Sequence, residues 1–323
     1  MKEKIRKTVG IILAIIVMFT TCFGGASEVD AMTKLSKFKL KNVFEFDYPQ
    51  NGKYLYYPQS MTYAKINGKE YLIVASVLSA SGVNAEYDYK WVLSAYRKDT
   101  KHNKWTTKDA VHRFYTERCH ANGMDYYNGK IYIAPCANRI GIVKVSANNG
   151  TINFGDCEWA ETDCQIASVD VTKGKNGVVF YFRTWHSKIY QMNALPIAKR
   201  KYRFLNKSEM KVKKTNCNVY YNFKLKKNKK YKFTQDMTYV SGYGIIGLEY
   251  RDKMNYVVQN SKSKSAIIKL PKLLLNCELK GNEKKLKREC EGLTSYKDKV
   301  GMHLLINIKF TGKKGAVYET ILK

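Results

Sequence analysis

The pentapeptide Gln59-Ser60-Met61-Thr62-Tyr63 decides the fold, because close variants of it return along the chain. Each complete copy has a polar residue two positions before an apolar anchor and a second polar residue directly after it. The further copies are Asn122-Gly123-Met124-Asp125-Tyr126, Gln235-Asp236-Met237-Thr238-Tyr239 and Glu291-Gly292-Leu293-Thr294-Ser295, with a degraded copy, Ala167-Ser168-Val169-Asp170, beside Gln165. A phrase repeated in this way indicates an architecture built from successive similar units.

Each phrase is followed by a turn and by a second run rich in β-branched and aromatic residues. Three of these turns contain Asn-Gly, at 67–68, 128–129 and 176–177, which is a strong signal for a two-residue hairpin turn. A third such run often follows, as at residues 91–96. The units are therefore predicted to be antiparallel β-meanders.

The spacing of the anchors predicts how many units there are. Successive anchors lie 63, 45, 68 and 56 residues apart, and the two ends of the chain beyond them together make one more unit of similar length. We therefore expect an all-β fold, a five-bladed β-propeller whose N-terminal strand (38–46) closes the last blade beside residues 316–322. An open structure of two β-sheets is the alternative.

The N-terminus has the pattern of a secretory signal peptide. A basic start (Lys2, Lys4, Arg6, Lys7) precedes an apolar run at 9–19, and small residues near Ala31 suit signal peptidase. We expect residues 1–31 to be the signal peptide, residues 32–323 to be a single propeller domain, and the protein to be secreted, with cell-wall association as a further expectation. The alternatives are an uncleaved anchor and a lipid anchor at Cys22. No later segment is long enough to cross a membrane.

Seven cysteines follow the signal peptide: Cys119, Cys136, Cys157, Cys164, Cys217, Cys277 and Cys290. Cys119 with Cys136, Cys157 with Cys164, and Cys277 with Cys290 are candidate disulfides, and buried free thiols are the alternative. The sequence has neither a Cys-x-x-Cys pair nor histidines at zinc-ligand spacing. We therefore expect no metal and no cofactor.

The residues at the start of the inner strands are candidates for ligand binding. In a propeller these strands begin at one end of the central channel, called the mouth below. The candidates are Gln59, His120, Asn122, Gln165, Gln235 and Glu291. They either bind a small polar ligand or polymer end, or hydrogen-bond neighbouring blades around a wet channel. If the protein is an enzyme, Glu291 and His120 are the expected acid and base.

The chain is strongly basic, with 57 Lys and Arg against 27 Asp and Glu and a formal charge of +30. Residues 199–232 contain 14 Lys and Arg and one acidic residue, with aromatic residues interleaved, and a second basic cluster runs from 280 to 288. The lysines predicted to bind a polyanion are Lys226, Lys227, Lys229, Lys230, Lys284 and Lys285. These stretches either bind an anionic polymer or only keep exposed sheet edges hydrated and unable to pair with other chains. Nucleic acid is not the expected partner of an exported protein.

The three phrases at 59–63, 122–126 and 235–239, two of them placed before Asn-Gly-Lys hairpins, resemble those of the helveticin-J-like secreted β-propellers. That family is grouped with the teichoic-acid-biosynthesis-protein-C-like proteins of Gram-positive bacteria. The resemblance covers the inner two strands of four units, and it implies an exported propeller linked to bacteriocin-like antagonism or to cell-wall polymers. It supplies no set of catalytic residues.

Charge and resemblance together predict a secreted binding protein for an anionic glycopolymer of the cell wall or surface. Its expected partner is an anionic polysaccharide, a teichoic-acid-like polymer or an anionic membrane surface. The alternative is a secreted hydrolase of a sugar or phosphate ester with its site in the channel. A toxin-like propeller directed at competing bacteria is a third hypothesis.

Overall fold

The structure, a computed structural model, describes residues 33–36, 39–47, 54–80, 90–117, 119–148, 150–174, 177–184, 188–193, 218–222, 232–251, 254–260, 265–270, 288–310 and 313–322. The expected signal peptide and the six lysines predicted to bind a polyanion (Lys226, Lys227, Lys229, Lys230, Lys284 and Lys285) lie outside these residues. Among the described residues, no helix has the length and apolar character needed to span a membrane.

All regular secondary structure in the described residues is β-strand, so the predicted all-β class is confirmed. These residues form nineteen strands in four antiparallel sheets, arranged as in a β-propeller. The first sheet consists of β2 (Tyr54–Ile66), β3 (Lys69–Ala80), β4 (Trp91–Asp99) and β5 (Lys104–Tyr115). A second four-stranded sheet consists of β13 (Lys232–Val240), β14 (Gly244–Arg251), β15 (Met254–Asn260) and β16 (Ser265–Lys269).

The largest sheet has seven strands in sequence order. They are β6 (Gly123–Tyr127), β7 (Lys130–Ala134), β8 (Ala137–Asn148), β9 (Thr151–Gly174), β10 (Gly177–Thr184), β11 (Lys188–Asn193) and β12 (Asn218–Asn222). The long strand β9 belongs to both halves of this sheet. Its first part pairs with β8, starting with Thr151 opposite Asn148, and its second part pairs with β10, ending with Gly174 opposite Gly177.

The last sheet joins the two ends of the described chain. It consists of β17 (Arg288–Lys297), β18 (Met302–Phe310), β19 (Lys313–Leu322) and β1 (Lys41–Glu45). Strand β1 pairs with β19, with Lys41 opposite Glu319, as the sequence predicted for the N-terminal strand. The rings of Phe44 and Phe46 then pack 4.9 and 5.9 Å from the ring of Tyr96 in β4. The N-terminal strand therefore also fastens the last sheet to the first.

The Asn-Gly turns follow from local backbone chemistry. Asn67 and Asn128 have φ of 48° and 47°, and the glycines that follow them have φ of 78° and 76°. Two consecutive residues with positive φ form the hairpin turn that suits the twist of antiparallel strands, and Asn and Gly tolerate that region best. Two predicted turns are thus confirmed, and Asn176 lies outside the described residues.

The phrases form the innermost strands. Strand β2 contacts β6, β6 contacts β9, β9 contacts β13, β13 contacts β17, and β17 contacts β2, so the order closes on itself. The five apolar anchors are fully buried between neighbouring strands: Met61, Met124, Val169, Met237 and Leu293. Burying one side chain of this size stabilises a fold by about 1.5–3 kcal/mol, which explains why an apolar residue stands at this position in every copy.

The candidate disulfide between Cys119 and Cys136 is not formed, because both thiols are free. Cys157 and Cys290, from the other two candidate pairs, form no disulfide either. Cys119, Cys157 and Cys290 are instead buried among apolar side chains. The alternative that these cysteines act as small buried hydrophobes therefore holds for them.

Candidate functional site

The polar residue after each anchor links its inner strand to the next one. Thr62 Oγ1 donates a hydrogen bond of 2.9 Å to Asp125 Oδ1, and Val171 N donates one of 2.9 Å to Asp125 Oδ2. Asp170 Oδ2 accepts a hydrogen bond of 2.9 Å from Tyr239 N. Three seams between inner strands are thereby bridged by side chains of the repeated phrase.

The remaining two seams are bridged by hydroxyl groups. Thr238 Oγ1 lies 3.2 Å from Ser295 Oγ, which joins β13 to β17. Tyr63 N donates a hydrogen bond of 3.0 Å to Thr294 Oγ1, which joins β2 to β17. The polar residue of the phrase therefore has a structural role at every seam of the ring.

Three carboxyl groups lie inside the ring, those of Asp125, Asp170 and Asp236. Desolvation by the surrounding protein raises the pKa of Asp125 to about 6 and holds those of Asp170 and Asp236 well above their usual range. Asp236 accepts hydrogen bonds from Ser168 Oγ, Met237 N and Leu293 N, at 2.8, 2.8 and 3.0 Å. Because both of its oxygens are engaged by the protein, this carboxyl holds strands together.

The predicted mouth residues Asn122 and Gln165 are engaged by the protein backbone. Asn122 is 2% exposed, and its Nδ2 donates to the carbonyl oxygens of Ala167 and Gln235 at 3.0 and 3.1 Å. Gln165 is exposed, and its Nε2 donates to the carbonyl oxygen of Cys136 at 2.6 Å. Both side chains therefore bridge strands around the mouth, which is the structural role that the sequence left open as an alternative.

Gln59 and Gln235 behave differently. They are only 2% and 8% exposed, yet within the described part of the chain their side-chain amides make no hydrogen bond. Neither amide is among the fully buried side-chain atoms that lack a partner, so both reach the solvent of the mouth. These two amides are therefore the mouth groups with hydrogen-bonding capacity left for a ligand or for water.

The two residues suggested as acid and base lie at the same end of the ring. Glu291 is buried and lies near Cys136, whose pKa is raised to about 12 by burial and further by the charge of Glu291. His120 is half-buried just ahead of β6. Among the described residues, no group of three or more His, Cys, Asp or Glu side chains is arranged to hold a metal ion.

A second site, which we call the groove, lies between the first and last sheets and was missed by the sequence analysis. Its volume is about 720 Å³, and its lining includes Lys41, Lys98, Trp105, Tyr296, His303 and Glu319. Tyr296 lies five residues after Glu291 along β17, roughly 17 Å at the rise of an extended strand. The groove is therefore at the far end of the inner strands from the mouth. Its residues come from segments far apart in sequence, and only Tyr296 stands beside a repeated phrase.

Comparison with known proteins leaves the family open. No protein-family model and no curated protein matches the chain. Among solved structures, the chain is similar to a protein of the COPII outer coat vertex on membranes, with 9% sequence identity and a TM-score of 0.35 over 79% of this chain and 58% of that one. It is also similar to a chain of the COPII coat assembled on membranes, again with 9% sequence identity and a TM-score of 0.35. That match covers 79% of this chain and 32% of the other one.

Proposed function

We propose that the protein is an exported five-bladed β-propeller that acts by binding an anionic glycopolymer of the cell wall or cell surface. The count of five is supported by the closed order of five inner strands and by the two pairing partners of β9, which divide the seven-stranded sheet into two four-stranded units. Apolar clusters between consecutive units support the same count. One cluster, for example, joins Ile131 and Ile133 to Ile73 and Leu93 of the first sheet.

The observation that carries the binding proposal is the pair of mouth amides, Gln59 and Gln235, that no protein group in the described part of the chain engages. An amide both donates and accepts hydrogen bonds, which matches the hydroxyl groups of a sugar. In a complex Gln59 and Gln235 would exchange hydrogen bonds with water for hydrogen bonds with the ligand. The side chains around them are engaged in the ring, so the mouth is a rigid frame for recognition.

The charge supports an anionic polymer as the ligand. The strong excess of Lys and Arg in the sequence attracts polyanions, and repeated phosphates or carboxylates along a chain give multivalent attachment that weakens with salt. The resemblance to the helveticin-J-like and teichoic-acid-biosynthesis-protein-C-like proteins favours a cell-wall polymer, and it also keeps a bacteriocin-like role as part of the proposal. Lys226, Lys227, Lys229 and Lys230 are the lysines proposed for this attachment.

Retention on isolated cell walls tests the role of charge. Replacing Lys226, Lys227, Lys229 and Lys230 with Gln should reduce retention several-fold, and the parent should elute with modest salt. The matched control replaces four exposed lysines elsewhere, Lys65, Lys108, Lys144 and Lys173, and so loses the same charge. Equal retention of the two quadruple variants would reject a specific role for the Lys226–Lys230 cluster.

The mouth is tested separately with Gln59→Leu and Gln235→Leu. Leucine keeps the approximate volume and the net charge but removes the amide, so saturable binding of soluble wall fragments should weaken about tenfold, as expected for the loss of roughly one buried hydrogen bond. Unchanged binding by both variants would exclude the mouth as the recognition site.

A hydrolase is the second candidate, favoured by the backbone at the mouth. Ala121 and Cys136 have φ of 51° and 57°, in the region that costs energy for residues other than Gly, and such strain is concentrated at active sites. Cys136 also lies near Glu291. If Glu291→Gln abolishes turnover of a sugar or phosphate ester while wall binding persists, the protein is an enzyme and the binding proposal is incomplete.

A further inference from the structure

We infer that the groove between the first and last sheets is a second binding site, which takes a sugar unit carrying a carboxylate or phosphate group. The groove has a volume of about 720 Å³, within the range of small-molecule sites. It lies at the opposite end of the inner strands from the mouth. The inference is therefore independent of the mouth and of the Lys226–Lys230 cluster.

The floor of the groove is formed by two stacked rings, Tyr296 and His303, which are held by carboxylates, and the ring of Tyr63 packs against them outside the lining. Tyr296 lies between Tyr63 and His303, with ring centroids 4.6 and 4.4 Å away. The Tyr296 hydroxyl donates a hydrogen bond of 2.9 Å to Glu319 Oε1, and His303 Nδ1 lies 2.9 Å from the same oxygen. His303 Nε2 lies 2.9 Å from Asp298 Oδ1. Each ring is thus fixed in position and in orientation.

Lys98 closes one side of this floor. Its Nζ lies 5.5 and 5.0 Å from the ring centroids of Trp105 and Tyr296, and 3.3 Å from Glu70 Oε2. Lys98 is buried, so its ammonium group is held between two aromatic rings and a carboxylate. Because these contacts hold the side chains of the floor in place, binding there costs little additional ordering of side chains.

Several polar groups of the groove have hydrogen-bonding capacity left. Glu319 Oε1 accepts from two donors, whereas Glu319 Oε2 has no partner within the described part of the chain. In those same residues the side chains of Asn42, Asn103, Lys41 and Lys104 also have no hydrogen-bond or ion-pair partner. Glu45, which also lines the groove, likewise has no such partner among the described residues. Within those residues the groove therefore presents three carboxylate oxygens (Glu319 Oε2 and both oxygens of Glu45), two amides and two ammonium groups that no protein group engages.

This combination identifies the class of ligand. Amides and carboxylates are the side chains that exchange hydrogen bonds with sugar hydroxyls, since together they both donate and accept. Ammonium groups form their strongest hydrogen bonds with anions, and Lys41 and Lys104 are exposed lysines with no carboxylate partner among the described residues. A neutral sugar would engage both lysines only through the weaker bonds to hydroxyl oxygens, and a bare anion would offer the Glu319 carboxylate no hydrogen-bond donor.

A ligand titration monitored by nuclear magnetic resonance tests the inference. Trp105 is one of four tryptophans, and its indole N–H signal is assigned by its loss in Trp105→Phe. The probes are glucuronate, glucose 1-phosphate, glucose and inorganic phosphate. Glucuronate or glucose 1-phosphate should shift the Trp105 signal and bind at least tenfold more tightly than glucose and inorganic phosphate. The two arms distinguish a carboxylate from a phosphate.

Variants of the rim complete the test. Lys41→Gln with Lys104→Gln should weaken binding of the anionic sugar at least tenfold, whereas Lys108→Gln, an exposed lysine outside the groove on the same strand as Lys104, should leave it unchanged. The inference is overturned if glucose binds as tightly as the anionic sugars, if inorganic phosphate binds as tightly as glucose 1-phosphate, or if no probe shifts the Trp105 signal. None of these results depends on whether the Lys226–Lys230 cluster retains the protein on cell walls.

Discussion

Arg183 and Glu249 form an ion pair that solvent does not reach. Arg183 lies on β10 and Glu249 on β14, and their side chains are 1% and 0% exposed. Arg183 Nη1 also occupies the space that a side chain at position 247 would need, because a Cβ added to Gly247 would lie 2.4 Å from it. Burial lowers the pKa of Arg183 to about 10, so the guanidinium remains charged at neutral pH.

Replacing one partner of this pair should be severely destabilising. Glu249→Gln removes the carboxylate that pairs with Arg183 and leaves the buried guanidinium with only the Coulombic influence of Asp236, and breaking a buried pair in this way typically costs about 3–5 kcal/mol. The double variant Arg183→Met with Glu249→Leu removes both charges and should recover most of the loss. Unfolding in urea measures both effects. A double variant no more stable than Glu249→Gln would contradict this account.

An exposed ion pair provides the control for that experiment. Arg97 and Asp109 are 3.4 Å apart, with side chains 35% and 61% exposed. Asp109 has φ of 59°, which Asn tolerates as well as Asp does, so Asp109→Asn tests charge alone. Because water screens this pair, the change in unfolding free energy should be below about 1 kcal/mol.

The raised pKa of Asp125 predicts that the free energy of unfolding depends on pH. Its pKa is raised from 3.8 to about 6 in the folded protein, chiefly by desolvation, so folding favours the protonated carboxyl. Its contribution to the unfolding free energy is fully present below pH ~4 and is lost as the pH rises through about 6. At 1.36 kcal/mol per pKa unit, the stability of the parent relative to Asp125→Asn should fall by up to about 3 kcal/mol between pH 4 and 7.

Urea unfolding of the two proteins at several pH values measures this difference. Gly155→Ala is the control, because it changes no ionisable group and its added Cβ would meet its nearest neighbour, Lys144, at 3.4 Å. Its stability relative to the parent should not change with pH. If the difference between the parent and Asp125→Asn is also constant, Asp125 is not the group that titrates.

Gly123 should not tolerate a side chain. A Cβ added there would lie 2.5 Å from Ser168 Oγ and 2.7 Å from both Asp236 Oδ1 and Ser168 Cα, so the inner strands β6, β9 and β13 would have to separate. Overpacking of this kind costs about 1–3 kcal/mol, and Gly123→Ala should lower the melting temperature by several degrees. The same change at Gly155, on the first part of β9, should have little effect. Equal melting temperatures for the two alanine variants would contradict this prediction, because they would mean that the inner strands separate around a Cβ at position 123 at little cost.

The fold was largely predictable from the phrase because its signals are local. An apolar anchor flanked by polar residues sets the two faces of one strand, and Asn67-Gly68 and Asn128-Gly129 set the turn that follows. Strand β9 was harder to interpret, since one continuous strand of 24 residues pairs with both β8 and β10 and its copy of the phrase lacks the polar residue two positions before the anchor. The sequence nevertheless placed Val169 at the right position in the ring.

The roles of the polar residues were less predictable. Gln59 and Asn122 occupy equivalent positions in their copies of the phrase, yet the Asn122 amide donates to two backbone carbonyls and the Gln59 amide makes no hydrogen bond within the described residues. The difference depends on how closely neighbouring strands approach. That distance is a property of the assembled ring.

The amino-acid sequence alone determined the strands, their turns, the anchors that are buried and the pairing of the first strand with the last sheet. These features depend on side-chain periodicity and turn chemistry within a few residues, or on chain length. Only the tertiary structure decided that Asp125, Asp170 and Asp236 bind strands together and that Lys41, Lys98, Tyr296 and Glu319 share a groove. Such neighbours are brought together by the packing of segments up to 278 residues apart, from Lys41 to Glu319, and no short stretch of sequence records that packing.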